Sequence, residues 1–134
     1  MGKGRDLGAF TDDVVDQIFR RDKNRCARCR REHDRRHGRG LLWSIHHRAP
    51  RGAGGSRKVA WIGDVSNGVI LCGHGTIGCH KDVEKFRLDS RVLGFIVSRI
   101  GIRKSHEVPI RHAVHGWCRL TQEGGHEPCD PPDA

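Results

Sequence analysis

From Asp12 to Arg21 the apolar residues Val14, Val15, Ile18 and Phe19 recur at the i, i+4 spacing of a helix with one buried face. Thr11 is placed to cap it, and Asp12 and Asp13 fall in the first turn, where acids favour the free N–H groups. Residues 30 to 40 lack any apolar period and are expected as an exposed loop. Leu41-Leu42-Trp43-Ser44-Ile45-His46 has the apolar and β-branched content of a strand, ended by His47-Arg48-Ala49-Pro50. Asn67-Gly68 signals a turn, and Val69-Ile70-Leu71 predicts a short buried strand that stops at Cys72. Lys81 to Leu93 spaces Val83, Phe86 and Leu93 for a second helix, with Gly94 as its C-cap. Phe95 to Val97, Ile110 to Val114 and Trp117 to Leu120 predict three more strands, the last two joined at His115-Gly116. From Thr121 onward Gly and Pro accumulate, and residues 121–134 are expected as a disordered tail. The pattern is that of an α+β fold in a single domain over residues 1–120.

Composition sharpens this picture. Only 35% of the 134 residues are hydrophobic, with four Phe, three Trp and no Tyr, so the core is thin for its length. No run of 18 apolar residues occurs and no apolar signal core follows Met1, so a soluble, cytoplasmic protein without a membrane partner is expected. The formal charge of +9 is uneven: Arg20 to Arg39 carries ten basic side chains against Asp22, Glu32 and Asp34. Such a surface attracts nucleic acid; a merely solvated basic face is the plainer alternative. The glycine-rich run Arg51-Gly-Ala-Gly-Gly-Ser-Arg57 could bring backbone amides to phosphate, and Arg48, Arg51 and Arg57 are the candidate phosphate contacts, since planar guanidinium groups pair with phosphate oxygens.

Six cysteines supply the candidate chemistry. Cys26 and Cys29 form a C-x2-C knuckle, and Cys72 and Cys79 form a second pair followed at once by His80. In a basic intracellular protein that spacing predicts one tetrahedral structural Zn2+ on Cys26, Cys29, Cys72 and Cys79. Structural zinc is worth on the order of 10 kcal/mol, enough to hold a thin core together. Reduced thiols packed as small hydrophobes are the alternative. Cys118, Cys129 and the histidines His33, His37, His106, His112, His115 and His126 fall into no pattern and are expected at the surface.

Taken in order, the informative segment is a strand carrying His46-His47-Arg48, a glycine-rich basic loop, Asn67, a strand, Cys72 to Cys79, and His80 opening a helix. Over about residues 22–88 this resembles the HNH endonuclease family of ββα-metal nucleases. It is most similar to the small HNH proteins of tailed bacteriophages, with their Trp-Ser-Ile-His-His-Arg, Gly-Gly-Ser and Leu-Cys-Gly…Gly-Cys-His motifs. The resemblance implies a ββα-metal core at about residues 22–93, stabilised by the zinc knuckle, and a metal-dependent endonuclease that nicks or cuts double-stranded DNA. It implies His46 and His80 as ligands of a catalytic divalent ion (Mg2+, Mn2+, Ni2+ or Zn2+) and His47 as the general base. Asn67 would brace the loop and hold the His47 ring. It further implies a phage or prophage role inside a bacterial host cell, beside the large terminase subunit and portal.

Two departures leave alternatives open. Six residues separate Cys72 from Cys79 where many zinc-bearing relatives have two, so His74 could substitute as a ligand. Glu84 lies one helical turn beyond His80 and could join the catalytic metal or simply pair with Lys81 or Lys85. A restriction-type HNH nuclease would need a specificity element that is not evident here. A non-catalytic zinc-knuckle module that binds nucleic acid would explain the cysteines and the charge, but not the three histidines and Asn67.

Overall fold

The structure is a computed structural model that describes residues 9–50, 60–98, 100 and 103–132. The first helix, α1, spans Asp12–Arg21 as its periodicity predicts, and Thr11 Oγ1 accepts the Val14 N–H at 3.3 Å. Its apolar face is buried: Val15, Ile18 and Phe19 cluster with Trp43, Val65 and Ile70. Strands β1 (Trp43–His47) and β2 (Gly68–Cys72) pair antiparallel in unbroken register, from Trp43 opposite Cys72 to His47 opposite Gly68. Leu41 and Leu42 fall in the turn before β1 and stay exposed.

An unbroken register sends alternate side chains to opposite faces. Trp43 and Ile45 face α1, and the His47 ring stacks on Phe10 with 4.0 Å between centroids. Ser44 and His46 face the other way, toward helix α2 (Gly78–Lys85). Gly68 permits the close approach on the α1 side, because a Cβ there would lie 2.7 Å from Ile18 Cδ1.

The single helix expected over 81–93 is two helices. α2 ends at Phe86, whose φ and ψ of −98° and 61° leave the helical region, and α3 spans Arg87–Val92. The break is held by Ser90, whose hydroxyl donates to Val83 O at 2.8 Å. Phe86 is half exposed instead of completing a buried stripe. Phe95 to Val97, expected as a strand, is buried but forms none; Val97 N–H donates to Arg48 O at 2.8 Å.

A second antiparallel sheet has the order β3 (Ile110–His112), β4 (Gly116–Leu120), β5 (His126–Pro128). β5 corrects the expectation of a disordered tail: Leu120 pairs with His126 and Cys118 with Pro128, across a turn in which Gly125 N–H donates to Thr121 Oγ1 at 2.9 Å. The molecule is therefore α+β with two small sheets. Val69 and Leu71 of β2, Val83 of α2, Phe95, Ile110 and Leu120 form the core that joins them, together with Cys26, Cys79 and Cys118. Among the described residues no helix is long and apolar enough to cross a membrane.

Two buried arginines replace missing apolar volume. Arg21 donates to Val65 O and Gly68 O, and Arg48 donates to Gly94 O, Ser66 O, Ser105 O and Val108 O at 2.8–3.1 Å. This corrects the assignment of Arg48 as a phosphate contact, since its guanidinium is 0% exposed and already directed at four carbonyls. Burial, and then the like charge of Arg21, push its pKa down to about 9, which leaves it charged at neutral pH. Arg51 and Arg57 lie outside the described residues.

Candidate functional site

Two groups of side chains flank the β1–β2 hairpin. The first is sulfur. After α1 the chain turns back on itself, with Cys26 N–H donating to Arg31 O at 2.8 Å, and the N–H groups of Arg28 and Cys29 each lie 3.4 Å from Cys26 Sγ. Cys72 ends β2 and Cys79 lies in the first turn of α2. The four sulfurs of Cys26, Cys29, Cys72 and Cys79 lie within 4.8 Å of one another, and Cys29 Sγ is 3.4 Å from Cys72 Sγ. That separation is well beyond a disulfide bond of about 2.05 Å. It is close to the roughly 3.8 Å edge of a tetrahedron with 2.3 Å metal–sulfur bonds.

The thiol chemistry agrees. Burial and then the hydrogen bond that the protonated Cys72 thiol gives to Cys29 push Cys72 up to about 12, and contact with Cys26, then burial, raise Cys79. Crowded thiols hold their protons because several adjacent thiolates repel, and a divalent cation is what allows them to ionise together. Arg28 Nη1 lies 3.6 Å from Cys79 Sγ, and His33 Nε2 lies 3.1 Å from Cys72 Sγ, both suited to offset thiolate charge. This group of four cysteines could hold a structural metal such as zinc. His74 takes no part: its Nδ1 accepts from Thr76 N–H at 3.3 Å, and it is outside the sulfur cluster. His33, by contrast, carried no sequence signal beyond its closeness to the knuckle.

The second group lies on the α2 face of the hairpin and consists of His46, His80 and Glu84, whose ligand atoms also fall within 4.8 Å of one another. His46 Nε2 is 2.7 Å from Phe95 O. A carbonyl only accepts, so Nε2 carries the proton and Nδ1 presents a lone pair, 3.6 Å from Glu84 Oε1. His80, in the first turn of α2, places Nε2 3.9 Å from the same oxygen and Nδ1 2.6 Å from Ser44 Oγ. The other Glu84 oxygen accepts from Arg87 Nη1 at 3.0 Å. Burial pushes His46 down to about 3 and lowers His80, where Glu84 partly offsets it. Both rings are thus neutral near pH 7, the form that ligates a cation.

The remaining predicted residues are placed as follows. His47 is the last residue of β1, half-buried against Phe10 on the face opposite His46. Asn67 is wholly buried; its Oδ1 accepts from Ala49 N–H and the Ser105 hydroxyl, and its Nδ2 donates to Ala49 O and Ile62 O. With both lone pairs and both hydrogens so engaged, its amide braces the backbone that follows β1 and has none left for the His47 ring.

A third cluster, Asp22, His112 and His115, corrects the expectation that these histidines are surface residues, for His112 is buried and the His115 side chain is 4% exposed. Its chemistry is opposite to that of His46, His80 and Glu84. Arg21 Nε and Nη2 each lie 2.7 Å from an Asp22 oxygen. His112 Nδ1 accepts from Val114 N–H, so its protonated Nε2 faces Asp22 Oδ2 at 3.1 Å. His115 Nε2 donates to Arg21 O at 2.9 Å. Donors surround this carboxylate, leaving no nitrogen lone pair aimed at a cation. It serves as an internal tie from the end of α1 to the β3–β4 hairpin. Comparison of the chain with family models, with curated proteins and with solved structures returns no match.

Proposed function

We propose that this protein is a metal-dependent DNA endonuclease of the HNH type, with zinc on the four cysteines and a catalytic divalent ion on His46, His80 and Glu84. The observation that carries the reading is the convergence of two neutral imidazoles and a carboxylate within 4.8 Å, His46 on β1 and His80 and Glu84 on α2, the helix that also carries Cys79. A divalent ion held there would stabilise the negative charge that builds on the phosphate and the leaving oxygen. His46 and His80 supply nitrogen lone pairs, and Glu84 supplies the charge that makes a cation preferable to a proton. His47 takes the proton from the attacking water. Since His46 and His47 point to opposite faces, the scissile phosphate straddles the end of β1, where the two faces meet. Asn67 fixes that end by holding Ala49 on both its N–H and its C=O. The +9 charge draws in the double-stranded DNA. By its resemblance to phage proteins, the chain acts beside a large terminase subunit and portal.

A plasmid-relaxation assay with EDTA, Mg2+, Mn2+, Ni2+ or Zn2+ tests this. Supercoiled DNA should become open circles only with added metal, and His47→Ala should lower the rate by about 10²–10⁴-fold while DNA binding and zinc content persist. DNA binding without cleavage under every metal would favour a non-catalytic zinc-knuckle module.

A further inference from the structure

We infer that Ser44 is a positioning residue for the second centre: its hydroxyl fixes the tautomer of His80 so that Nε2, and not Nδ1, offers the lone pair to a metal. This rests on reading His46, His80 and Glu84 as a metal site. Ser44 Oγ lies 2.8 Å from Gly73 O and 2.6 Å from His80 Nδ1, and it has one hydrogen to give. Gly73 O has none, so that contact is a hydrogen bond only when Ser44 donates. Gly73 is buried, and among the described hydrogen bonds Ser44 alone donates to its carbonyl. A buried carbonyl left unpaired is costly, which directs the hydroxyl hydrogen to Gly73. Ser44 then accepts, His80 Nδ1 supplies the proton, and Nε2 is left bare toward Glu84.

In the opposite arrangement, Ser44 would donate to Nδ1 and a proton would sit on Nε2, blocking the metal position. Nearby backbone removes that choice. Gly73 has φ +75°, and a Cβ there would lie 2.1 Å from Ile77 O, so only glycine holds the carbonyl in place. Gly73 follows Cys72, and His80 follows Cys79. The cysteine cluster therefore positions His80 twice: through the peptide from Cys79, and through Cys72, Gly73 O and Ser44 Oγ. Phe95 O plays the matching part for His46.

The test uses the zinc-loaded full chain. Long-range 1H–15N NMR of the metal-free second centre in the wild type should show His80 protonated at Nδ1; an Nε2–H tautomer would overturn the inference. Mn2+ binding, followed by the EPR signal of the free ion, should show one site in the wild type. Ser44→Ala should weaken it by about 10–100-fold with zinc retained, and Ser44→Thr, which keeps the hydroxyl, should restore most of the affinity. Wild-type Mn2+ binding that Glu84→Gln weakens but Ser44→Ala leaves unchanged would sink the role of Ser44 while keeping the site. Absence of Mn2+ binding in the wild type, or binding indifferent to Glu84→Gln, would sink the site itself.

Discussion

At the C-terminal end of α1, Arg21 and Asp22 lie side by side with side chains 0% exposed, and the energetics of the tie depend on the carboxylate being ionised. Burial alone would raise the Asp22 pKa. The charge of Arg21 and its hydrogen bonds, with His112 and His115 close beside the carboxylate, together outweigh it and hold the group well below its ordinary 3.8. A carboxylate whose native pKa is depressed stabilises the fold fully above the unfolded value. That contribution is lost as pH falls from there toward the native value. The wild type is therefore expected to lose stability below about pH 4, on top of what its other carboxylates contribute. Asp22→Asn keeps the shape but leaves Arg21 buried without a counter-charge, which should cost about 3–5 kcal/mol at pH 7. Denaturant melts of both proteins at pH 7 and pH 3 check this, because the gap should narrow in acid. An equal gap at both pH values would show that the charge of Asp22 does not hold this junction.

Among the elements, those whose signal is local were legible. The 3.6-residue period of Val14, Val15, Ile18 and Phe19 located α1, and the β-branched runs before His46-His47 and Cys72 located β1 and β2 to within two residues. The order of His46, Asn67, His80 and the cysteines was likewise visible, because His46, Cys72, Cys79 and His80 lie near the ends of β1, β2 and α2 and Asn67 immediately precedes β2. What escaped depends on distant partners. The break at Phe86 is fixed by the Ser90 hydroxyl on Val83 O, which apolar spacing does not encode. Arg48 had the sequence context of a phosphate contact, yet four carbonyls from separate segments enclose it. β5 is exposed at all three residues, so no pattern of buried positions could reveal it; backbone pairing to β4 and the stack of His126 on His115, 3.7 Å between centroids, hold it. Ending the chain after Leu120 should therefore cost about 1–3 kcal/mol by loss of those hydrogen bonds. A denaturation midpoint unchanged by the deletion would show that the strand contributes nothing to stability.

For the whole molecule, the four thiols lie where its parts meet: Cys26 and Cys79 belong to the same buried cluster as Val69, Leu71 and Val83 on one side and Ile110, Cys118 and Leu120 on the other. A metal held there would close the knuckle after α1 onto the end of β2 and the start of α2, fixing both sheets around a small apolar core. His46, His80 and Glu84 make no comparable tie; Glu84 is half exposed, and its pairing with Arg87 is a surface contact worth about 0–1 kcal/mol. The two centres should thus depend on each other in one direction only. Stripping the thiol-bound metal with a chelator, or Cys26→Ser, is expected to collapse the cooperative thermal transition and, with it, Mn2+ binding at the second centre. Glu84→Gln should abolish most Mn2+ binding yet leave metal content at the cysteines and the melting temperature close to wild type. Elemental analysis and calorimetry of the same samples distinguish the cases. A chelated protein that melts like the wild type would mean that the apolar core and the buried arginines suffice, and that the cysteine cluster positions His80 without holding the fold.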